Sequence, residues 1–470
     1  MTLRVLEFND VGIRVSDHSG VIASSPGYAL VTGQRIEFGE RARKQSRLSP
    51  LNCFNQFWHK LNLDPFARPV AHYRHNADIA FSHLQDLASV TKLDGDVLLA
   101  VPGSFSRQQL AILLGLIKQC SFSAVGVVDA GLAAAIDHSR SDSVIHVDLH
   151  LHQVVLSKLE RQGGDLVRES VVQVPGTGWV NMSESLIQLL TSAFIQQCRF
   201  NPQHNAQSEQ MLLDGLPAWL RESDAVDALE NSAATDSDEA RRNLLVSIDH
   251  NNTVHQARVP RSSLSTRLQP FFQKISQQLS LLNPEGSSRL LVSDRLQGLP
   301  GFADELGKHF DRISALSEDT VGGACLRYHE ELTSSPEAVH FVTRLRPSAA
   351  LTEQTFVAVE QPTHGVVQHR ARKLSDGMTI LGRIATDGRP SLELLRRGGR
   401  SAAESVPVLG EISFDSGHFA LRVTEGGAAA GLQINGNAVL PVQRLHLGDR
   451  IGLVSTTDTI ELIRVQDGNE

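Results

Sequence analysis

No stretch of this chain approaches the roughly 20 consecutive apolar residues of a membrane span, so no membrane insertion is expected. The opening "MTLRVLEFNDVGIRVS" shows strand-like alternation and no signal-peptide hydrophobic region, which makes a cytoplasmic location the expectation. Positive charge is scarce as well. Lys and Arg number 44 against 52 Asp and Glu, a formal net charge of −8, which excludes a general nucleic-acid or anionic-membrane binder. Cysteine is rarer still. Cys53, Cys120, Cys198 and Cys325 lie far apart without metal-ligand spacing and read as reduced, mostly buried thiols. The most telling shortage is local. In "VIHVDLHLHQVVLSKLE", residues 144–160, two β-like runs are joined by His150-Leu151-His152, a crossing without glycine. Glycine, having no Cβ, is what lets backbone N–H groups close on a phosphate.

What is present is a globular composition, 41% hydrophobic and 20% charged, over 470 residues, a length for two or three domains. Residues 3–15, "LRVLEFNDVGIRV", alternate and turn around Asn9-Asp10, a hairpin signal. "DVLLAVPGSF" (96–105) is a buried strand ending in a Pro-Gly turn, and "SRQQLAILLGLIKQC" (106–120) is an amphipathic helix with Ser106 as N-cap. "SAVGVVDAGLAAAI" is strand, turn and helix, residues 143–160 a strand hairpin, and 181–200 a helix. The polar 205–245 segment fits an inserted helical subdomain, and "RLLVSDRLQGLPGFADELGKHF" (289–310) is again strand, turn, helix. Strands alternating with helices, with hairpins at two places, make an α/β body with a mixed sheet. The pattern changes near residue 331. "LTSSPEAVHF" has linker composition, and from about 351 short strand-like runs are separated by Gly, Asp and Asn turns, the pattern of an all-β sandwich. The expected division is 1–332, a linker over 333–350, and 351–470.

The order of elements in 1–332 resembles the ATPase domain of DnaK-type heat-shock chaperones, of the actin and sugar-kinase superfamily. The resemblance is carried by "SSPGYALVTGQRIEFGERARKQSRLSPLNCF", "LLAVPGSFSRQQLAIL", "VVDAGLAAAI", "LLVSDRLQGLPGFADEL" and "VGGACLRY". It implies a two-lobed actin-like fold in which ATP lies between two glycine-bearing hairpins while carboxylates organise Mg²⁺ and water. Residue by residue, the implied site is degraded. The first hairpin reads Glu7-Phe8-Asn9-Asp10-Val11, with glutamate for aspartate, no glycine, and Asp10 adding negative charge. The second keeps Asp148 but has His150 and His152 for glycine. Asp129 stands for a glutamate, Trp58 for a lysine, and Ser293-Asp294-Arg295 for the Gly-Gly-Ser of the adenosine turn. Phosphate cradling needs unhindered N–H groups in neutral or positive surroundings. A pseudo-ATPase is therefore expected, with Glu7, Asp129 and Asp148 as vestigial catalytic positions and no cofactor. ATP or ADP with Mg²⁺ is the alternative.

On a continuous strand His146, Asp148, His150 and His152 share one face. Strand-borne histidines two apart can bind zinc with a carboxylate orienting them, so His146, His150 and His152 form an alternative metal set. No fourth ligand is visible, and a cleft refilled with polar side chains, without metal, is preferred. "GTGW" (176–179) lacks the lysine and helix context of a P-loop.

The tail "GLQINGNAVLPVQRLHLGDRIGLV", with "ILGRI" (380–384) and "DSGHFALRV" (415–423), resembles a forkhead-associated domain. That family binds phosphothreonine through an arginine, a serine and an asparagine. Arg383, Ser416 and His418 match its motifs, while the asparagine position is Ala430. No lid-length helix follows residue 331, so ATP-driven client folding is not expected. The functional expectation is a non-catalytic, chaperone-like scaffold or regulator docking a protein partner. The alternatives are a divergent ATP-binding switch and a phosphopeptide-reading adaptor.

Overall fold

The computed structural model describes residues 3–68, 70–138, 142–227, 243–333 and 339–347. Beyond these it describes 362–367, 370–375, 378–384, 390–396, 408–415, 418–424, 430, 432–434, 437–438, 442–445, 449–453 and 459–463. The chain forms two units, Met1–Ala349 and Ala350–Glu470.

Two six-stranded mixed sheets organise the first unit. In the first sheet Gly20–Ser25, Ile13–Asp17 and Arg4–Glu7 form an antiparallel meander. Gly95–Val101 and Phe122–Asp129 extend it in parallel. In the second sheet Asp165–Pro175, Gln153–Gln162 and Ser143–Leu149 make the meander, and Arg289–Val292 and Ile313–Ala315 extend it in parallel. Both sheets thus run through the same succession of directions, and in each the hairpin turn next to the parallel strands carries residues singled out from sequence.

Sequence chemistry accounts for these elements. Val97 to Val101 are all buried, as a parallel strand covered on both faces requires. Helix Arg107–Ile117 begins in a reciprocal capping box, Ser106 Oγ accepting from Gln109 N while the Gln109 side chain accepts from Ser106 N. Trp179–Cys198 and Arg261–Leu282 pack Leu186, Leu190, Phe194, Leu268 and Phe272 into one apolar core with Ile145, Val147 and Leu156 of the second sheet.

Three expectations are corrected. The 205–245 segment starts as helix Ala206–Asp227, but Asn243–His250 pairs with Thr253–Pro260 in a hairpin. Its turn is Asn251-Asn252, both left-handed (φ 53° and 59°), the geometry of a two-residue hairpin loop. The linker is shorter than 333–350. Phe341–Val342 adds in parallel to Phe122–Asp129, and Arg344–Leu345 adds antiparallel to Asp165–Pro175, so five residues give each sheet an outer strand. Apolar Phe341 and Leu345 pay the entropy of ordering this segment, which composition alone labels as linker. Finally, Cys325 is buried but Cys53, Cys120 and Cys198 are only half-buried; all four are free thiols.

In the second unit, two antiparallel sheets of six and five strands share one apolar core. Ile380, Leu394, Ile412 and Leu421 of one face Ile434, Ile451, Ile460 and Leu462 of the other, which makes a β-sandwich. The run "TFVAVEQ" lies outside the described residues. No helix among the described residues is long and apolar enough to cross a membrane.

Candidate functional site

The two hairpin turns of the first unit meet each other. The first spans residues 8–12 and does contain a glycine, Gly12, whose N–H donates to Asn9 O at 3.0 Å. Asn9 is not left-handed; its Oδ1 instead accepts from Val11 N at 2.9 Å, closing an Asx-type turn. Its Nδ2 crosses to the other sheet and donates to Asp148 Oδ2 (2.8 Å) and Leu149 O (3.0 Å).

The strand of the second hairpin ends at Leu149, so His150 and His152 sit in the turn rather than on the strand face with His146 and Asp148. That corrects the alternating-face expectation and separates the set His146, His150, His152. Among the described residues no group of three or more His, Cys, Asp or Glu is placed to hold a metal ion. His152 Nε2 donates to Asn55 O at 2.9 Å, its ring 5.2 Å from that of His59. Burial lowers the His146 pKa against the opposing pull of Asp148, Asp129 and Glu7.

The turn's backbone is already engaged. His150 N donates to Gln153 O (2.9 Å) and Leu151 N to Asp10 Oδ1 (2.7 Å). The carbonyls of His150 and Leu151 accept from Trp179 N and Val180 N, so the "GTGW" turn and helix N-terminus spend their donors on the hairpin. Here glycine is indispensable. A Cβ on Gly178 would lie 2.4 Å from Gln153 N and Leu151 O.

Charge closes on itself. Asp10, 5% exposed, faces His150 Nδ1 at 3.3 Å, and His150 Nε2 faces Asp148 Oδ2 at 3.7 Å. Burial pushes the His150 pKa down, but Asp10 and Asp148 outweigh it and hold it above the usual imidazole value. Burial likewise opposes ionisation of Asp10, yet His150 and the Leu151 N–H keep it below the usual carboxylate range.

The turn Ser293-Asp294-Arg295 supplies the cation. Arg295, its side chain 6% exposed, reaches Glu7 Oε1 at 2.8 Å and Asp148 Oδ1 at 3.5 Å and donates to Gly12 O at 3.3 Å. Asp294 forms a two-pronged salt bridge with Arg14 of the first sheet. Against burial, Arg295 and His150 drive the Asp148 pKa far down. Asp129 caps helix Ala130–Ala135 through Leu132 N (2.9 Å) and pairs with Arg168 Nη1 (2.6 Å). Glu7, Asp129 and Asp148 therefore all have partners within the chain. Sequence reasoning identified these positions but missed that Arg14 and Arg295 neutralise the acids opposite them. The signal was an arginine entering a turn that faces two retained carboxylates.

Trp58 is buried, its Nε1 donating to His83 Nδ1 at 3.0 Å. His83 Nε2 therefore carries the proton and donates to Ser25 Oγ (2.8 Å), so this pair cannot serve as base and nucleophile. Burial pushes His83 down to about 3. Between Trp58, the loop 102–106 and both turns lies a cavity of about 220 Å³.

Of the suggested phosphopeptide residues, Arg383 and His418 are described by their backbone alone. Arg383 lies past the Leu381–Val408 pairing at one end of strand Val408–Asp415, whereas His418 pairs with Asp415 at the other. Seven residues of strand separate these ends, roughly 23 Å at about 3.3 Å per residue. Ser416 and the side chains of Arg383 and His418 lie outside the described residues, and Ala430 is exposed. No protein-family model matches this chain, and no curated protein matches it.

Proposed function

We propose that the first unit is a two-lobed, actin-like body of DnaK type that has lost nucleotide chemistry, and that the chain is a non-catalytic scaffold or regulator that docks a protein partner. The repeated succession of strand directions supports the two-lobed reading. One observation carries the loss of chemistry: the chain supplies its own ions where a metal–nucleotide would lie. The Asp10 carboxylate occupies the Leu151 N–H, and the Arg295 guanidinium bridges Glu7 and Asp148. A phosphate entering here would have to displace a buried carboxylate, and a Mg²⁺ would have to displace a buried guanidinium. The residues present do not fit either group. Docking falls to the β-sandwich, where the separation of Arg383 from His418 argues against a shared phosphothreonine site.

Isothermal titration of the full chain with ATP and Mg²⁺ tests the reading, and no binding is expected at physiological nucleotide concentration. Micromolar affinity that is abolished by Asp148→Ala would overturn it and restore the ATP-switch alternative.

A further inference from the structure

The cavity beside the two turns has a polar floor that the rest of the protein leaves unused. Gln153 lies at its base, 5% exposed, and Gln173 at its exposed mouth. Among the described residues neither carboxamide has a hydrogen-bond partner. Strand register explains why they converge. Gln153 pairs with Pro175 and Val155 with Gln173, so the two glutamines sit diagonally on one face of adjacent strands. The Gln153 carboxamide offers two donors and an acceptor to whatever fills the cavity. Water alone could match them, but the volume is about seven times the ~30 Å³ share of one water molecule, room for a small ligand in their place.

The walls restrict what that ligand is. Phe8, Trp58 and Phe105 supply ring surface, Phe8 and Trp58 meeting edge to face at 5.3 Å. Flat molecules gain most from such surfaces. Charge in the lining is already balanced. Asp10 is paired with His150, and burial lowers the His59 pKa and favours its neutral form. A charged ligand would be desolvated without a counterion. Paired carboxamides instead match a group that both donates and accepts, as an amide or lactam edge does. We propose that this cavity binds a small, neutral, planar amide-type molecule, of the size of a free nucleobase or nicotinamide. The inference goes beyond the scaffold reading and does not depend on it.

The test uses the full-length protein with adenine, uracil and nicotinamide as probes, and with inorganic phosphate and choline as charged controls. At least one neutral probe should bind by calorimetry and raise the unfolding temperature, while the controls do neither. Gln153→Leu and Gln173→Leu should each weaken that probe roughly three- to tenfold, the cost of one neutral hydrogen bond. Gln173 lies at the mouth, so its variant remains informative even if the floor substitution impairs folding. The proposal is overturned if no neutral probe binds at millimolar concentration. It is equally overturned if phosphate or choline binds as well as the neutral probes, or if the folded Gln173→Leu variant binds them unchanged.

Discussion

Arg295→Met is the most informative perturbation of the first unit, because it removes one charge and keeps most of the side-chain stem. Glu7 then remains buried without its cation, and Asp148 keeps only its contacts with His150 and Asn9. Each already has one oxygen lacking a hydrogen bond, Glu7 Oε2 and Asp148 Oδ1. Breaking a buried pair in this way costs about 3–5 kcal/mol. At about 2.1 cal/mol/K per residue, the first unit has an unfolding entropy of about 0.7 kcal/mol/K, so its unfolding temperature should fall roughly 4–7 °C at neutral pH. The sign of the pH dependence follows from Asp148. Its folded pKa is depressed, so its stabilisation is present above the unfolded value of about 3.9 and is lost as pH falls through the folded value. The methionine variant relieves that depression, so the two proteins should begin to converge below about pH 4 and meet only as pH falls through the native folded value. Scanning calorimetry across this range is the assay. A loss below 1 °C at neutral pH, or a gap that widens in acid, would refute the idea that this guanidinium holds the two turns together.

Two further outcomes can be checked independently. Ser106→Ala should cost about 1 kcal/mol by removing the capping box of helix Arg107–Ile117, read by urea midpoint. Residues 350–470, which have their own core, should fold in isolation and recover a partner equally with and without phosphatase treatment; recovery that phosphatase and Arg383→Ala both abolish would establish phosphopeptide reading instead.

The fold was legible where period and punctuation agreed. Alternation around Asn9 and the apolar face ending at Ile117 located both a hairpin and a helix correctly, and Ser106 marked the start of the helix. The hairpin Asn243–Pro260 was equally visible. Leu244, Val246 and Ile248 alternate before Asn251-Asn252, and that signal was overlooked in favour of local polarity. Residues 341–345 could not be read as strand, because two-residue strands have no period and are fixed by the sheets they join. In the site, sequence identified the acids and the missing glycines. It could not show that Asp10 turns back onto Leu151 N or that Arg295 spans two carboxylates, since these contacts join residues 141 and 288 positions apart. The cavity was invisible for the same reason. Gln153 and Gln173 acquire meaning only through the register of two strands.

The five residues that add a strand to both sheets also define a mechanical path. Any tension arriving from beyond Pro347 first meets Arg344–Leu345 on the second sheet, then Thr343, whose carbonyl accepts from Arg168 N, and then Phe341–Val342 on the first. Each ladder is two residues long, so it yields a bond or two at a time rather than as a block. A pull from the tail therefore loads the second sheet's outer strand before the first's. Mechanically the segment is a two-stage fuse, and the stage nearest the tail is loaded first.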